Sequence, residues 1–285
     1  MIRTMWFGTK QFSRWIKVHS PGSGHGMSGY SDRIDYLNGL VGVRESANGH
    51  MTYSLAWNRM SHEQTRQVTD FAYGIYGGGL LYLAEPSSMP LNVLNKAWSA
   101  PGLATKDAVP IAGETRPELV QNLDQGRGYP LDMAKYTLSA ADTSRSFYVP
   151  IPPGYQAQIG VHGDPSSTLR VRAQPTVRGI ASGVPTSLTM LSTATNARFS
   201  HTFAGGEQTG VEISLQTGTA GTITLAGIMV RVVPIGTTGG ELGDFISGQG
   251  SAGLRFIGRV NPVPYSIAHD SYGLAATLEE VEDGL

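Results

Sequence analysis

The sequence predicts a mainly β protein of the α+β type with one or two helices: a first β domain completed by C-terminal strands, and a β-sandwich of jelly-roll type inserted into it. Three observations predict this. Apolar residues recur with period two over much of the 285-residue chain, as in half-buried strands. A single stretch after Ser61 recurs at helical spacing instead. Two alternating runs near the C-terminus have no local partners, and an isolated pair of strands is not stable in water.

The elements follow in order. Phe12 to Val18 is a strand whose pattern is blurred by Arg14 and Trp15, and Pro21 to Ser31 is a glycine-rich loop. Met51, Tyr53, Leu55 and Trp57 fall on one face of a strand. Ser61 and Gln64 form a capping box, and Val68, Phe71, Ala72 and Ile75 then make the buried face of a helix. Gly74, or the run Gly77 to Gly79, stops it. Leu80 to Ala84 is the next strand, and a shorter helical turn lies between Leu91 and Trp98. From Ser99 to Lys135, prolines at 101, 110, 117 and 130 mark an extended connecting arm.

From Tyr136 to about Ile235 the pattern is β throughout. Tyr155-Ala157-Ile159-Val161, Leu169-Val171-Ala173, Val211-Ile213-Leu215 and Ile223-Leu225 alternate. Pro152-Pro153-Gly154, Gly163-Asp164-Pro165 and Gly218 to Gly221 are the turns. A glycine-rich loop, Gly236 to Gly253, leads to strands at Leu254 to Gly258 and Gly273 to Val281. The N-terminal region is short of strand partners and the sandwich is not. The expected division is therefore 1–98 with 242–285 as one split domain, 99–135 as the arm, and 136–236 as the inserted sandwich. Two consequences follow. Removal of Leu254 to Leu285 is expected to expose a sheet edge, and Tyr136 to Ile235 is expected to fold by itself.

Composition narrows the function. Charged residues are 15% of the chain, against roughly 25% in an ordinary soluble domain. The net charge is −1 and no long basic run occurs, which argues against wrapping of nucleic acid. No apolar run approaches a membrane span, and Lys10, Arg14 and Lys17 interrupt the N-terminal stretch where a signal peptide would be apolar. There is no cysteine, so no disulfide framework and no thiolate site. Few charges and 37 glycines suit a chain that buries its surface in an assembly.

No catalytic constellation is expected. The seven histidines (His19, His25, His50, His62, His162, His201 and His269) form no HxxxH or HExxH pair, and no metal or other cofactor is expected. Gly22 to Gly26 lacks the lysine and the helix of a phosphate loop. There is no G-x-S-x-G elbow. Asp32 and Asp35 bracket two residues of a strand or turn, and Glu279, Glu280, Glu282 and Asp283 cluster at the tail; paired carboxylates can serve glycoside hydrolysis, but the tail cluster is read as a solvated end. Tyr73, Tyr76, Tyr82 and Trp98 are the candidate subunit-interface residues, because aromatic rings cluster in cores and interfaces.

Two sets of residues carry a resemblance. The first is Thr69-Asp70-Phe71-Ala72-Tyr73-Gly74-Ile75-Tyr76-Gly77 with Gly79 to Tyr82, Asn92-Val93-Leu94 and Trp98. The second is Ile246 to Gly250, Leu254-Arg255-Phe256, Pro264-Tyr265-Ser266 and Gly273 to Leu278. Together they resemble minor tail proteins of long-tailed, siphovirus-type phages that infect actinobacteria, and among these the distal tail proteins. The resemblance implies a belt domain bearing a galectin-like or carbohydrate-module-like sandwich. It also implies a structural, non-enzymatic role: a ring, usually six-fold, at the virion tail tip. Such a ring joins the tail tube to the distal tip or baseplate and leaves a lumen for DNA. The implied partners are copies of the chain itself, the tail tube protein, the tape measure and the tail hub or baseplate proteins, with assembly in the host cytoplasm and no membrane insertion. The alternative is a glycan-binding adhesin of the virion. Weak or absent glycan binding is expected, because all four tryptophans (Trp6, Trp15, Trp57 and Trp98) precede the sandwich. Its own rings are few: Tyr136, Phe147, Tyr148, Tyr155, Phe199 and Phe203.

Overall fold

The computed structural model describes residues 4–20, 24–28, 31–35, 41–45, 50–101, 118–121, 132–138, 146–163, 169–189, 197–202, 209–217, 220–237 and 253–281, with positions 246, 248 and 250. The elements of the first part are β1 (Thr4–Thr9), β2 (Ser13–Lys17), β3 (Gly24–Ser28), β4 (Ser31–Asp35), β5 (Val41–Glu45), β6 (His50–Met60), α1 (His62–Ala72), β7 (Leu81–Ala84) and α2 (Lys96–Ser99). The middle holds β8 (Glu118–Gln121), β9 (Asp132–Leu138), β10 (Phe147–Pro150), β11 (Tyr155–Gly163), β12 (Leu169–Val177), β13 (Ile180–Ala181), β14 (Thr186–Thr189), β15 (Ala197–Thr202), β16 (Gly210–Thr217) and β17 (Gly221–Pro234). The chain returns with β18 (Leu254–Ile257), β19 (Val263–Ser266) and β20 (Ser271–Glu280).

Both ends of the chain build one antiparallel sheet in the order β2-β1-β7-β18-β20-β6-β3, with β19 also on β20. The two C-terminal strands stand in its middle: Leu254 pairs with Leu81 of β7, and Leu274 to Glu279 pair with Trp57 to Thr52 of β6. Leu274, Ala276 and Leu278 meet Tyr53, Leu55 and Trp57 on the face under α1, as the alternation of both strands requires. The corner formed by β1, β2 and β7 is covered on both faces. Met5, Phe7, Ile16 and Leu81 turn toward α1, while Trp6, Trp15 and Ala84 turn toward the sandwich. That explains why Met5, Trp6 and Phe7 are consecutive and all buried.

The capping box forms: the Gln64 amide donates to Ser61 Oγ at 3.2 Å, and the Ser61 amide donates to Gln64 Oε1 at 3.1 Å. At the other end Gly74 takes φ +70°. Its N–H reaches the Phe71 carbonyl and that of Ile75 reaches Asp70, the two bonds of a Schellman stop. Val68 and Phe71 are buried as expected. Ile75 is not: it lies past the stop and is 67% exposed. The helical period simply ends before it.

The middle of the chain forms two five-stranded antiparallel sheets, β10-β16-β12-β13 with β14 on β12, and β15-β11-β17-β9-β8. Phe147, Val149, Val171, Ala173, Val211, Ile213 and Leu215 of one face Ala134, Tyr136, Ala157, Ile159, Leu225, Ile228, Val230 and Val232 of the other. Three features depart from the reading of the sequence. Gly24–Ser28, inside the expected glycine-rich loop, is a strand on β6. Glu118–Gln121 and Asp132–Lys135, inside the expected arm, are strand residues of the sandwich. Gln156 and Gln158 are buried although they face away from the sandwich core, because both side chains donate to the Thr237 carbonyl that lies over them. Arm residues 102–117 and 122–131 and most of the loop before Gly253 lie outside the described residues, as do the turns at Asp164-Pro165 and Gly218-Thr219.

Candidate assembly surface

The four aromatic residues singled out in the sequence divide into two pairs. Tyr82 and Trp98 are buried inside the chain. Alternation along β7 points Tyr82 away from α1, onto Tyr148 of the sandwich, with ring centroids 4.6 Å apart. Trp98, in α2, meets Phe147 at 5.6 Å. Their rings fasten the two parts of this chain together and are not available to a second subunit. Tyr73 and Tyr76 follow α1: Tyr73 stays at the surface, while Tyr76 is half-buried against the core under α1. Tyr73 is 64% exposed, its hydroxyl donating to the Val260 carbonyl at 3.4 Å.

Tyr76 is the centre of a surface cluster that composition did not reveal. Its ring stacks on Phe12, at the tip of the β1–β2 hairpin, with centroids 4.3 Å apart. The Arg14 guanidinium lies 4.7 Å from the Phe12 centroid and donates to the Tyr76 hydroxyl at 3.2 Å. The Tyr76 hydroxyl in turn donates to Asp70 at 3.3 Å. Beside it an open depression of about 580 Å³ is lined by Lys10, Gln11, Phe12, Arg178, Gly179 and Ile180. Ile180 in its lining is 73% exposed, and Val184, four positions on in the chain, is 85% exposed. A second apolar group, Val263, Tyr265 and Ile267, lies on β19 and the turn into β20. There Tyr265 lies across Gly273, where any Cβ would strike its ring, and its hydroxyl donates to Asn58 at 3.3 Å. Isolated exposed apolar residues are ordinary, but two such groups on one chain mark candidate contacts.

The seam between sheet and sandwich is polar as well as aromatic. Lys10 Nζ is 3.2 Å from Glu212 and sits near both the Tyr148 and the Tyr82 rings, at 5.3 and 5.8 Å. Burial pushes the Tyr148 phenol up to about 12; the side chains of Thr209 and Thr176 pull the other way, and Glu212 raises it further. The hydroxyl donates to the Thr209 carbonyl at 3.1 Å. Burial alone pushes the Tyr136 phenol above its ordinary range, and its hydroxyl has no hydrogen-bond partner. Half-buried His19 and Glu85 form a pair at 3.1 Å.

Among the described residues no group of three His, Asp or Glu side chains is placed to hold a metal, and no helix is long and apolar enough to cross a membrane. Glu280 of the tail cluster is structural: it accepts from the Met51 amide at 3.1 Å and from Asn95 Nδ2 at 3.2 Å. The side chains of His25, Asp32, Asp35 and Phe199, and residues Phe203, Glu282 and Asp283, lie outside the described residues. Of the sandwich rings that are described, Tyr136, Phe147 and Tyr148 are buried, and Tyr155 packs on Trp15.

The fold and the surface thus define a class: a mainly β protein in which a β-sandwich is seated on a sheet made from both chain ends. No family model and no curated protein matches the sequence. Among solved structures, the carbohydrate-binding module TmCBM61, determined in complex with β-1,4-galactotriose, matches at 14% identity and a TM-score of 0.31, over 49% of this chain and 97% of its own. The VP2 subviral particle of infectious bursal disease virus matches at 11% identity and a TM-score of 0.26, over 98% of this chain and 80% of its own. A Gt-strain structure from the same virus matches at 13% and 0.21, over 98% and 79%.

Proposed function

We propose that the protein is a structural subunit of the tail tip of a long-tailed phage, a distal tail protein that closes into a ring between the tail tube and the distal tip. One observation carries the reading. The segments behind the resemblance come from both ends of the chain and pack on one another: Phe71 and Phe256 both meet Phe7, Asn92 bonds Ile246, Gly250 bonds Leu94, and β18 and β20 complete the sheet begun by β1, β6 and β7. A ring contact is heterologous and uses two different surfaces of each subunit. The groups around Phe12 and Tyr76 and around Val263 to Ile267 supply two candidate surfaces of that kind. The sandwich serves as an outward projection or docking surface rather than a sugar site, in keeping with the burial of Tyr136, Phe147 and Tyr148. Mass photometry and negative-stain imaging of the purified protein, alone and with its tail neighbours, test this. Closed rings of fixed copy number support the reading. A protein that stays monomeric with those neighbours and binds host cell-wall glycans at micromolar concentration favours the adhesin instead.

A further inference from the structure

β17 is 14 residues long, and its two halves have different neighbours on one edge. Gly221 to Leu225 pair with β9. Beyond that point the edge is taken over by the first part of the chain. The Val232 amide donates to the Met89 carbonyl at 2.7 Å, the Val93 amide to the Val230 carbonyl at 2.9 Å, and Arg231 Nε to the Pro90 carbonyl at 2.8 Å. Asn92 fills the gap. Its Nδ2 donates to the Ile228 carbonyl at 3.1 Å, and its Oδ1 accepts from the Val230 amide at 3.1 Å. The side-chain amide thereby serves the two main-chain groups that flank Met229, as a neighbouring strand would.

The same amide reaches further. Nδ2 also donates to the Ile246 carbonyl at 2.9 Å, and Oδ1 also accepts from the Leu94 amide at 3.2 Å. Asn92 is fully buried with its four hydrogen bonds made. It joins three passages of the chain: the way out to the sandwich, the sandwich itself and the way back. The return passage lies directly on the outgoing one. The Gly250 amide donates to the Leu94 carbonyl at 2.9 Å and that of Gly248 to Ser99 Oγ at 2.6 Å, and a Cβ at either glycine would fall on the backbone of Val93 or Leu94. Met89, Val93, Leu94 and Trp98 belong to the same apolar cluster as the sandwich interior.

We infer that Met89–Leu94 is an edge segment donated to the sandwich and that Asn92 latches the outgoing and returning passages across it, so that sheet and sandwich open as one cooperative unit and the sandwich holds a fixed orientation. This revises the expectation that Tyr136 to Ile235 folds by itself, because that fragment lacks the donated edge and the rings covering Phe147 and Tyr148. The inference stands independently of the tail reading.

Native-state hydrogen exchange on the full chain tests it. The amides of Val230 and Val232 in the sandwich are expected to exchange through the same opening as those of Leu274 and Leu278 in β20, at rates within about tenfold of each other under conditions where global opening dominates. Calorimetry is expected to show one transition for the natural chain. Asn92→Asp keeps the shape but replaces the amide donor with a charged acceptor facing two carbonyls; it is expected to split that transition in two, or to abolish folding of the whole chain. Two independent transitions in the natural chain would overturn the inference. So would an Asn92→Asp chain that melts as one unit at an unchanged temperature.

Discussion

The two cores of this protein are held together differently. The core under α1 is assembled from the first eighty residues and the last thirty, and its central strands arrive last. The sandwich core comes from one continuous stretch, but it is finished by Trp6, Met89, Val93, Leu94 and Trp98 from outside that stretch. Neither core is closed by a contiguous piece of sequence. An insertion is usually thought of as a module with its own core; here both boundaries of the insertion run through packed, hydrogen-bonded contacts.

The largest effect that can separate the two cores is removal of one. A chain ending at Gly253 loses β18, β19 and β20 from the middle of the composite sheet and is expected to be insoluble, as judged by sedimentation after expression. A soluble truncated chain with the parent's melting temperature would mean that the first core does not need its returning strands. Phe71→Ala empties the space between α1 and the Phe7 ring, 5.2 Å away, and is expected to cost about 3–5 kcal/mol by chemical denaturation. The sandwich is expected to melt at the same lowered midpoint, since the cores open together.

Smaller effects probe the seam and the sandwich interior. Because the Tyr148 pKa is raised in the folded state, the neutral phenol is favoured there, and its stabilisation is complete below pH 10. That stabilisation is lost as the pH rises from about 10 to about 12, amounting to about 2–3 kcal/mol, and Tyr148→Phe is expected to remove this part of an alkaline melting profile. Tyr136→Phe deletes a buried hydroxyl that has no partner and is expected to be neutral or to stabilise by about 1 kcal/mol. The Lys10–Glu212 pair is partly exposed and screened by solvent, so a double-mutant cycle is expected to give a coupling below about 1 kcal/mol, falling with added salt.

What the sequence showed depended on how local the signal was. The capping box, the Gly74 stop and the faces of β6 and β20 rest on neighbours a few positions apart, and each formed as expected. The strand at Gly24–Ser28 was hidden because glycine and histidine carry no alternation. Strand counting pointed to a shared sheet, but pairing order is a property of distant segments and left no periodic trace. Tyr82 and Trp98 advertised burial without naming the surface that would cover them. Phe12, which completes the Tyr76 cluster, was read only as the start of a strand, because its partner lies more than sixty positions away in a turn. Asn92 stood out only as part of the run Asn92-Val93-Leu94, with nothing to mark its bonding; its four partners come from three separate passages.

As a tail-tip subunit the chain is expected to repeat around a tail axis, with the composite sheet in the ring. Reconstruction of virions that carry it decides this. Several copies, expected to be six, should encircle the axis at the end of the tail tube, with the Tyr76 and Tyr265 surfaces in subunit contacts and the sandwiches pointing outward. A single copy, or density for the chain only away from the axis, would contradict it.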